Sequence, residues 1–300
     1  MKIVCLFLVL WLTFVGYSFG AGGCEGEWDP SSAGPVTTWT APLCAKGELV
    51  VQPYFFYVRT RGAFDAEGNS DSLPDGDKKW QRQYQIFSYY GITDRLEVDA
   101  QAAYQENYVR EDGSSASEDG FGDSFLFLRY CAIEEKGWIP HITGLAQLKL
   151  PTGKYQKLDE NKLGTDLMGG GAYEHAYGII LTKKYRPFIF HADTIYGFPV
   201  KCKVDSVKTL YGQYLNYDFG FEWILSKGLN LLLEFNGFMQ GDTKEDGAMA
   251  PSTDTSSFAI SPGIGWSTEK IQTVMVYQRI LTGTNADAND SVIFSLVYTF

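Results

Sequence analysis

The side chains able to do chemistry in this 300-residue chain are mostly carboxylates, with three His to work beside them. Glu48, Glu97, Asp99, Asp193, Asp218, Glu222 and Glu234 stand beside apolar neighbours, together with Gln52, Tyr54, Arg129, Lys149 and His191. Paired carboxylates can serve acid–base catalysis, and a His with a carboxylate can activate a hydroxyl nucleophile. His191 and Asp193 share one face of an extended segment, two residues apart, a spacing that reads as a solvated lumen pair rather than as part of a triad. No His-rich or Cys-rich spacing suggests a transition-metal site, so neither metal nor cofactor is expected. The side chains read as an acidic lining rather than as a catalytic centre.

The elements that position these groups are strands. The chain carries 32 Gly and is 15% aromatic, a composition that favours strands joined by turns. Acids outnumber bases 36 to 25, which argues against a nucleic-acid partner. Apolar and polar residues alternate with period two, as in Leu215, Tyr217, Phe219, Phe221 and Trp223 set against Asn216, Asp218, Gly220 and Glu222. Such segments have one apolar and one polar environment. They recur twelve times, near 48–59, 80–90, 95–108, 121–133, 139–150, 165–176, 183–197, 210–225, 229–240, 256–267, 270–281 and 290–300.

Residues 1–20 read as a secretory signal peptide: Met1-Lys2, an apolar run from Ile3 to Val15, and small residues at Ser18 and Gly20. The twelve segments are long enough to cross a bilayer as tilted strands. Short connections follow the even-numbered segments and long ones the odd-numbered, the pattern of an outer-membrane barrel with short periplasmic turns and long external loops. Aromatic residues on the outward parity form the expected girdle: Tyr90, Tyr130, Tyr173, Trp223, Trp266, Tyr298 and Phe300. The fold class is therefore all-β, a transmembrane up-and-down antiparallel barrel of about twelve strands spanning 47–300, preceded by a leader at 21–46. A lipid-surface hydrolase on such a barrel needs a His near the outer leaflet. His175 is expected at the periplasmic end of its strand, and enzymatic activity is not expected.

The whole mature chain resembles one family of outer-membrane barrels, labelled the putative MetA-pathway of phenol degradation. The resemblance rests on Lys46-Gly-Glu-Leu-Val-Val-Gln-Pro-Tyr54, Tyr90-Gly-Ile-Thr-Asp-Arg-Leu-Glu97, Gly120-Phe-Gly-Asp-Ser-Phe-Leu-Phe-Leu-Arg-Tyr130 and Leu148-Lys-Leu-Pro-Thr-Gly-Lys154. Ser261-Pro-Gly-Ile-Gly-Trp-Ser267, Leu281-Thr-Gly-Thr-Asn285 and the closing Tyr298-Thr-Phe300 complete it. It implies a transporter that admits aromatic compounds, and it carries no catalytic or ligand constellation. The terminal Phe300 resembles the signal read by the barrel-assembly machinery.

Inward parity places Glu48, Gln52, Tyr54, Glu97, Asp99, Arg129, Lys149, His191, Asp193, Asp218, Glu222 and Glu234 in the lumen, either as a structural ion-pair network or as a filter. Arg129 is expected to pair with Glu97 or Asp99. The leader either plugs the periplasmic mouth or hangs disordered below it. Cys24 and Cys44 are the favoured disulfide pair, with Cys44–Cys131 second and Cys202 free. The expected partners are outer-membrane lipid and lipopolysaccharide, the assembly machinery and a small solute. The expected function is passive uptake of small solutes with a cation preference. The alternative is a closed structural or surface-display barrel that binds a partner through its external loops.

Overall fold

A computed structural model describes residue 32 and residues 34–226, 228–268 and 270–299. The signal-peptide segment, Cys24 and Phe300 lie outside the described residues. In chain order the strands begin β1 (Leu49–Phe64), β2 (Ser70–Ser72), β3 (Lys78–Thr93), β4 (Leu96–Glu111), β5 (Ser114–Phe121) and β6 (Ser124–Ile133). They continue β7 (His141–Leu150), β8 (Glu174–Tyr185), β9 (Phe188–Pro199), β10 (Cys202–Val204), β11 (Val207–Leu210) and β12 (Tyr214–Ser226). The last are β13 (Leu229–Gln240), β14 (Lys244–Glu245), β15 (Ala248–Met249), β16 (Thr255–Ser267), β17 (Ile271–Thr284) and β18 (Ala286–Thr299).

Twelve of these make one antiparallel wall in the order β1, β3, β4, β6, β7, β8, β9, β12, β13, β16, β17, β18. The wall closes where β18 returns to β1, with Tyr54 opposite Ser295 and Arg59 opposite Asp290. Closure leaves the wall without an open edge. It is an inverted protein: along β4 the inward Glu97, Asp99, Gln101 and Gln105 are buried, while outward Val98 and Tyr104 are exposed. Leu128, Tyr177, Ile179, Trp223 and Met275 continue the apolar outer face around the barrel. A water-soluble fold would not leave so large an apolar surface bare.

One end of the barrel carries tight connections and the other long ones. Two sequence expectations fail at the long-loop end. Residues 109–120 are not a loop, because β4 and β5 run on as a hairpin past the barrel rim, turning at Asp112 and Gly113. Beyond the apolar band both faces of a strand meet polar surroundings, so alternation fades and the sequence resembles a loop. The sixth barrel strand is Glu174–Tyr185 and not 165–176. Residues 151–173 form a long loop whose Leu167, Met168 and glycines mimic alternation without strand pairing. Tyr173 consequently sits at the long-loop end, opposite Tyr90, Tyr130, Trp223, Trp266 and Tyr298, which line the short-turn end. Above the rim, β10, β11, β14 and β15 pair into a small outer sheet drawn from two loops.

Candidate functional site: the occupied lumen

The inward parity of the strands brings the acidic residues to one interior surface. Glu97, Asp99, Glu222 and Glu234 are each 0–1% exposed, and His191, Asp193, Arg129, Lys149 and Gln52 are buried beside them. Arg129 donates to Glu97 at 2.6 Å and stands 3.9 Å from Asp99. His191 Nε2 lies 2.8 Å from Glu222, and its Nδ1 is 3.0 Å from the Thr182 hydroxyl. Asp218 faces Asp193 across β12 and β9 and accepts from Asn236 at 2.9 Å. Lys149 is held by Glu174 and stands 3.7 Å from Asp123 at the opposite end of the lumen. The expected Arg129–Glu97 pair is therefore present, while Lys149 belongs to a separate cluster.

Burial at this level needs partners, and for Glu97, Asp193, Glu222 and Glu234 the leader supplies some of them. Residues 34–46 cross the lumen in its short-turn half with their main chain bonded to the wall. Glu234 accepts from the backbone N–H groups of Val36, Thr37 and Thr38 at 2.9, 2.9 and 2.8 Å. The Thr37 and Thr38 hydroxyls donate to the same carboxylate. Asp193 accepts from Trp39 N at 2.8 Å, and Glu97 from Cys44 N at 2.5 Å. In the reverse sense, Arg129 donates to the Thr40 carbonyl and Thr143 donates to the Ala41 carbonyl at 2.6 Å. Ser32 donates to Glu222. The leader then joins the wall through Ala45, which donates to Glu48, and Lys46, which donates to Asp94. An extended segment with no internal ladder thus satisfies its peptide groups against a ring of wall side chains.

Aromatic packing completes the fit. The Trp39 ring lies 5.1 Å from Phe127 and 6.2 Å from Phe87, with the Arg129 guanidinium 5.3 Å from its centroid. Tyr54 packs against Phe56 and Phe87 on the same wall. Gly220 makes room for the crossing, since a Cβ there would meet Thr38 at 3.2–3.3 Å and Pro35 at 3.4 Å. A cavity of about 610 Å³ remains beside the leader, bounded by Trp39, Gln52, Tyr54, Phe87 and His191.

A second segment enters toward the long-loop end. The loop 151–173 folds inward onto the hairpin of β4 and β5, where Asn107 donates to the Thr165 carbonyl at 2.9 Å. Met168 is buried, and Gln105 reaches its carbonyl at 3.4 Å. Asp123 pins both feet of the loop, accepting from Gly153 N at 3.1 Å and Gly170 N at 2.9 Å. Lys154 bonds Asp166 at 2.5 Å, and Lys162 bonds Glu118 at 2.6 Å.

His175 lies outward at the long-loop end of β8, not at the periplasmic end expected from sequence, because that strand starts later than expected. Its contacts are the rings of Phe198 and Tyr177, without a hydroxyl partner among the described residues. Cys44, Cys131 and Cys202 carry free thiols. The expected Cys24–Cys44 pairing involves Cys24, which lies outside the described residues. Asp123, Asp166 and the leader's own Thr37, Thr38 and Trp39 are the site residues that sequence reasoning missed. The available signal for Asp123 was its place in the Gly120–Tyr130 motif, from which it holds Gly153 of the Leu148–Lys154 motif.

With the wall and its occupant defined, the chain can be compared with known proteins. The model of the family described as "Putative MetA-pathway of phenol degradation" matches residues 67–292. The chain belongs to this family. No curated protein matches the sequence. Among solved structures, it is similar to an outer membrane channel from Pseudomonas putida F1, with TM-score 0.74 and 16% identity over 89% of this chain and 100% of that one. It is also similar to the NanC porin, with TM-score 0.51 and 5% identity over 83% of this chain and 100% of that one. At these identities the likeness shows the fold, a closed twelve-stranded antiparallel barrel.

Proposed function

We infer that this member of the family is an outer-membrane channel for passive passage of small solutes, held shut at rest by its own leader. The observation that carries this reading is the set of main-chain bonds from residues 34–46 to Glu234, Asp193 and Glu97. A barrel built only as a scaffold would fill its lumen with wall side chains, as eight-stranded barrels do. This one instead lines a wider lumen with charge and fills it with a tethered segment that covalent geometry allows to leave. The apolar outer face, the girdle at the short-turn end and the family membership support membrane insertion with short turns in the periplasm, and the sequence of residues 1–20 supports export through a cleaved signal peptide. Aromatic side chains beside polar ones would suit small amphipathic or aromatic solutes. The reading includes no enzymatic step.

The ordered outer sheet of β10, β11, β14 and β15 favours a second reading, a surface-binding barrel whose lumen never opens. Single-channel recording in a planar bilayer separates the two. The mature chain should give rare, small openings, and a chain lacking residues 21–46 should give frequent, larger ones. Silence from both proteins, shown to be folded by heat-shifted gel mobility, would overturn the channel reading and leave the surface barrel.

A further inference from the structure

The outer wall carries a cationic cluster where a lipid-facing surface should tolerate none without an anionic partner. Across the closing seam, Arg279 on β17 faces Asp290 on β18, and Asp290 faces Arg59 on β1. Residues directly opposite in an antiparallel sheet point to the same side, so all three face outward. A bulge between Thr60 and Gly62 brings Arg61 to the same carboxylate. Asp290 Oδ1 accepts from Arg61 Nε at 2.9 Å, and Arg279 Nε stands 3.8 Å from that oxygen. Arg59 is exposed, and its guanidinium has no partner among the described residues. Two guanidiniums therefore flank one carboxylate, with Arg59 beside them in the same lateral row; Arg61 also donates to the Ile280 carbonyl at 2.9 Å, and the remaining N–H donors of the three are unused among the described residues.

The cluster's height is informative. Arg59 lies ten residues beyond Leu49, which opposes the girdle residue Tyr90 at the short-turn end. At about 3.4 Å per residue and a tilt of about 40°, that is roughly 26 Å along the barrel axis. An apolar band of about 25 Å ends there. Trp80 lies in the same lateral row as Arg59, and Tyr57 and Tyr277 lie one row below, as interface residues do. Val292 shares the row of Tyr57 and Tyr277, and with Phe294 and Met275 in the row below it forms an exposed apolar strip. A charged head above an apolar strip is the complement of an anionic lipid.

We propose that Arg59, Arg61 and Arg279 form a binding site for the phosphate of an outer-leaflet glycolipid, whose acyl chains lie along β17, β18 and β1. This proposal rests on the membrane reading above. Guanidinium recognises phosphate through paired, charge-assisted N–H donors, and the excess of cations over Asp290 leaves room for a dianion. Asp290 partly neutralises the cluster when no phosphate is bound.

The test is native mass spectrometry of the mature chain refolded in detergent and titrated with diphosphoryl lipid A, dephosphorylated lipid A or inorganic phosphate. The chain should retain diphosphoryl lipid A at least about tenfold better than the dephosphorylated form. The double variant Arg59→Ala/Arg279→Ala should lose about tenfold in retention, and Asp290→Asn should retain at least as much as the natural chain. Equal retention by the double variant would overturn the site. So would loss of lipid in Asp290→Asn, because that outcome marks the cluster as a structural tie across the seam. Inorganic phosphate bound as tightly as the lipid would overturn the lipid assignment. Insertion into vesicles and heat-shifted mobility report the membrane reading independently, so failure of that reading is distinguishable from failure of the site alone.

Discussion

Glu234 shows how a single buried carboxylate can be both a structural cost and a latch. It is fully buried on β13, and its partners include three successive leader N–H groups and two leader hydroxyls. Hydrogen bonds to a charged acceptor contribute about 1.5–3 kcal/mol each, less the cost of desolvation. Glu234→Ala should therefore weaken leader docking by roughly 3 kcal/mol, or about a hundredfold in the closed–open equilibrium. The expected result is a higher open probability in bilayers and faster proteolysis of residues 34–46, with the barrel's heat-shifted mobility retained. Gly220 offers the converse test. A Leu side chain there would occupy the space of Thr38 and Pro35 and should displace the leader while every wall carboxylate stays in place. If Gly220→Leu conducts no more than the natural chain, the leader is not what closes the lumen.

At the scale of elements, the loop 151–173 is the part of the molecule most open to manipulation. Burial alone would raise the pKa of Asp166. The Lys154 ammonium at 2.5 Å and the Asp159 backbone N–H outweigh it and hold the carboxyl below the ordinary range. A carboxyl depressed in the folded state contributes its stabilisation above the unfolded pKa of about 3.9 and loses it as pH falls through the folded value. Hydrogen exchange of the loop amides, corrected for intrinsic rates, should thus be flat from about pH 5 to 8 and rise only below about pH 4. A transition near neutral pH would rule out the Lys154–Asp166 bond as the loop's anchor. These elements also mark the limit of what sequence could reveal. Where a strand has lipid on one side and the lumen on the other, alternation located eleven of the twelve, β8 being the exception, and parity pointed Glu97, Arg129, Asp193, Glu222 and Glu234 inward, where they are buried. The hairpin of β4 and β5 stands beyond the lipid band, with water on one face and the polar loop 151–173 on the other, so Glu106 to Gly120 carried little alternation to read. The run from Leu167 to Ala172 alternates by chance while pairing with nothing. The leader's bonds use peptide groups, which leave no trace in side-chain pattern, so only the acceptors and not their donors were visible.

At the scale of the whole molecule, the channel reading has the barrel closed at two levels built from different materials. In the short-turn half the leader binds through its main chain to wall carboxylates; toward the long loops, the loop 151–173 is tied to Asp123 and Asn107. Two constrictions in series make a specific demand on the deletion experiment. Removing residues 21–46 strips Glu234, Asp193 and Glu222 of leader partners and leaves them facing water, against a wall where Arg129 is already paired with Glu97 and Lys149 with Glu174. The freed lumen is acidic, and a ring of carboxylates selects cations. The deleted chain should therefore show cation-selective steps in a salt gradient, with conductance still limited by the outer loop. Adding Asp123→Ala should release both feet of that loop and raise conductance again, by a factor of two or more on the order expected when one of two series resistances is removed, while the sign of the selectivity stays the same. A deletion that already reaches full conductance would show that the outer loop does not constrict the path. Anion preference in either protein would mean that the solute path avoids the acidic wall.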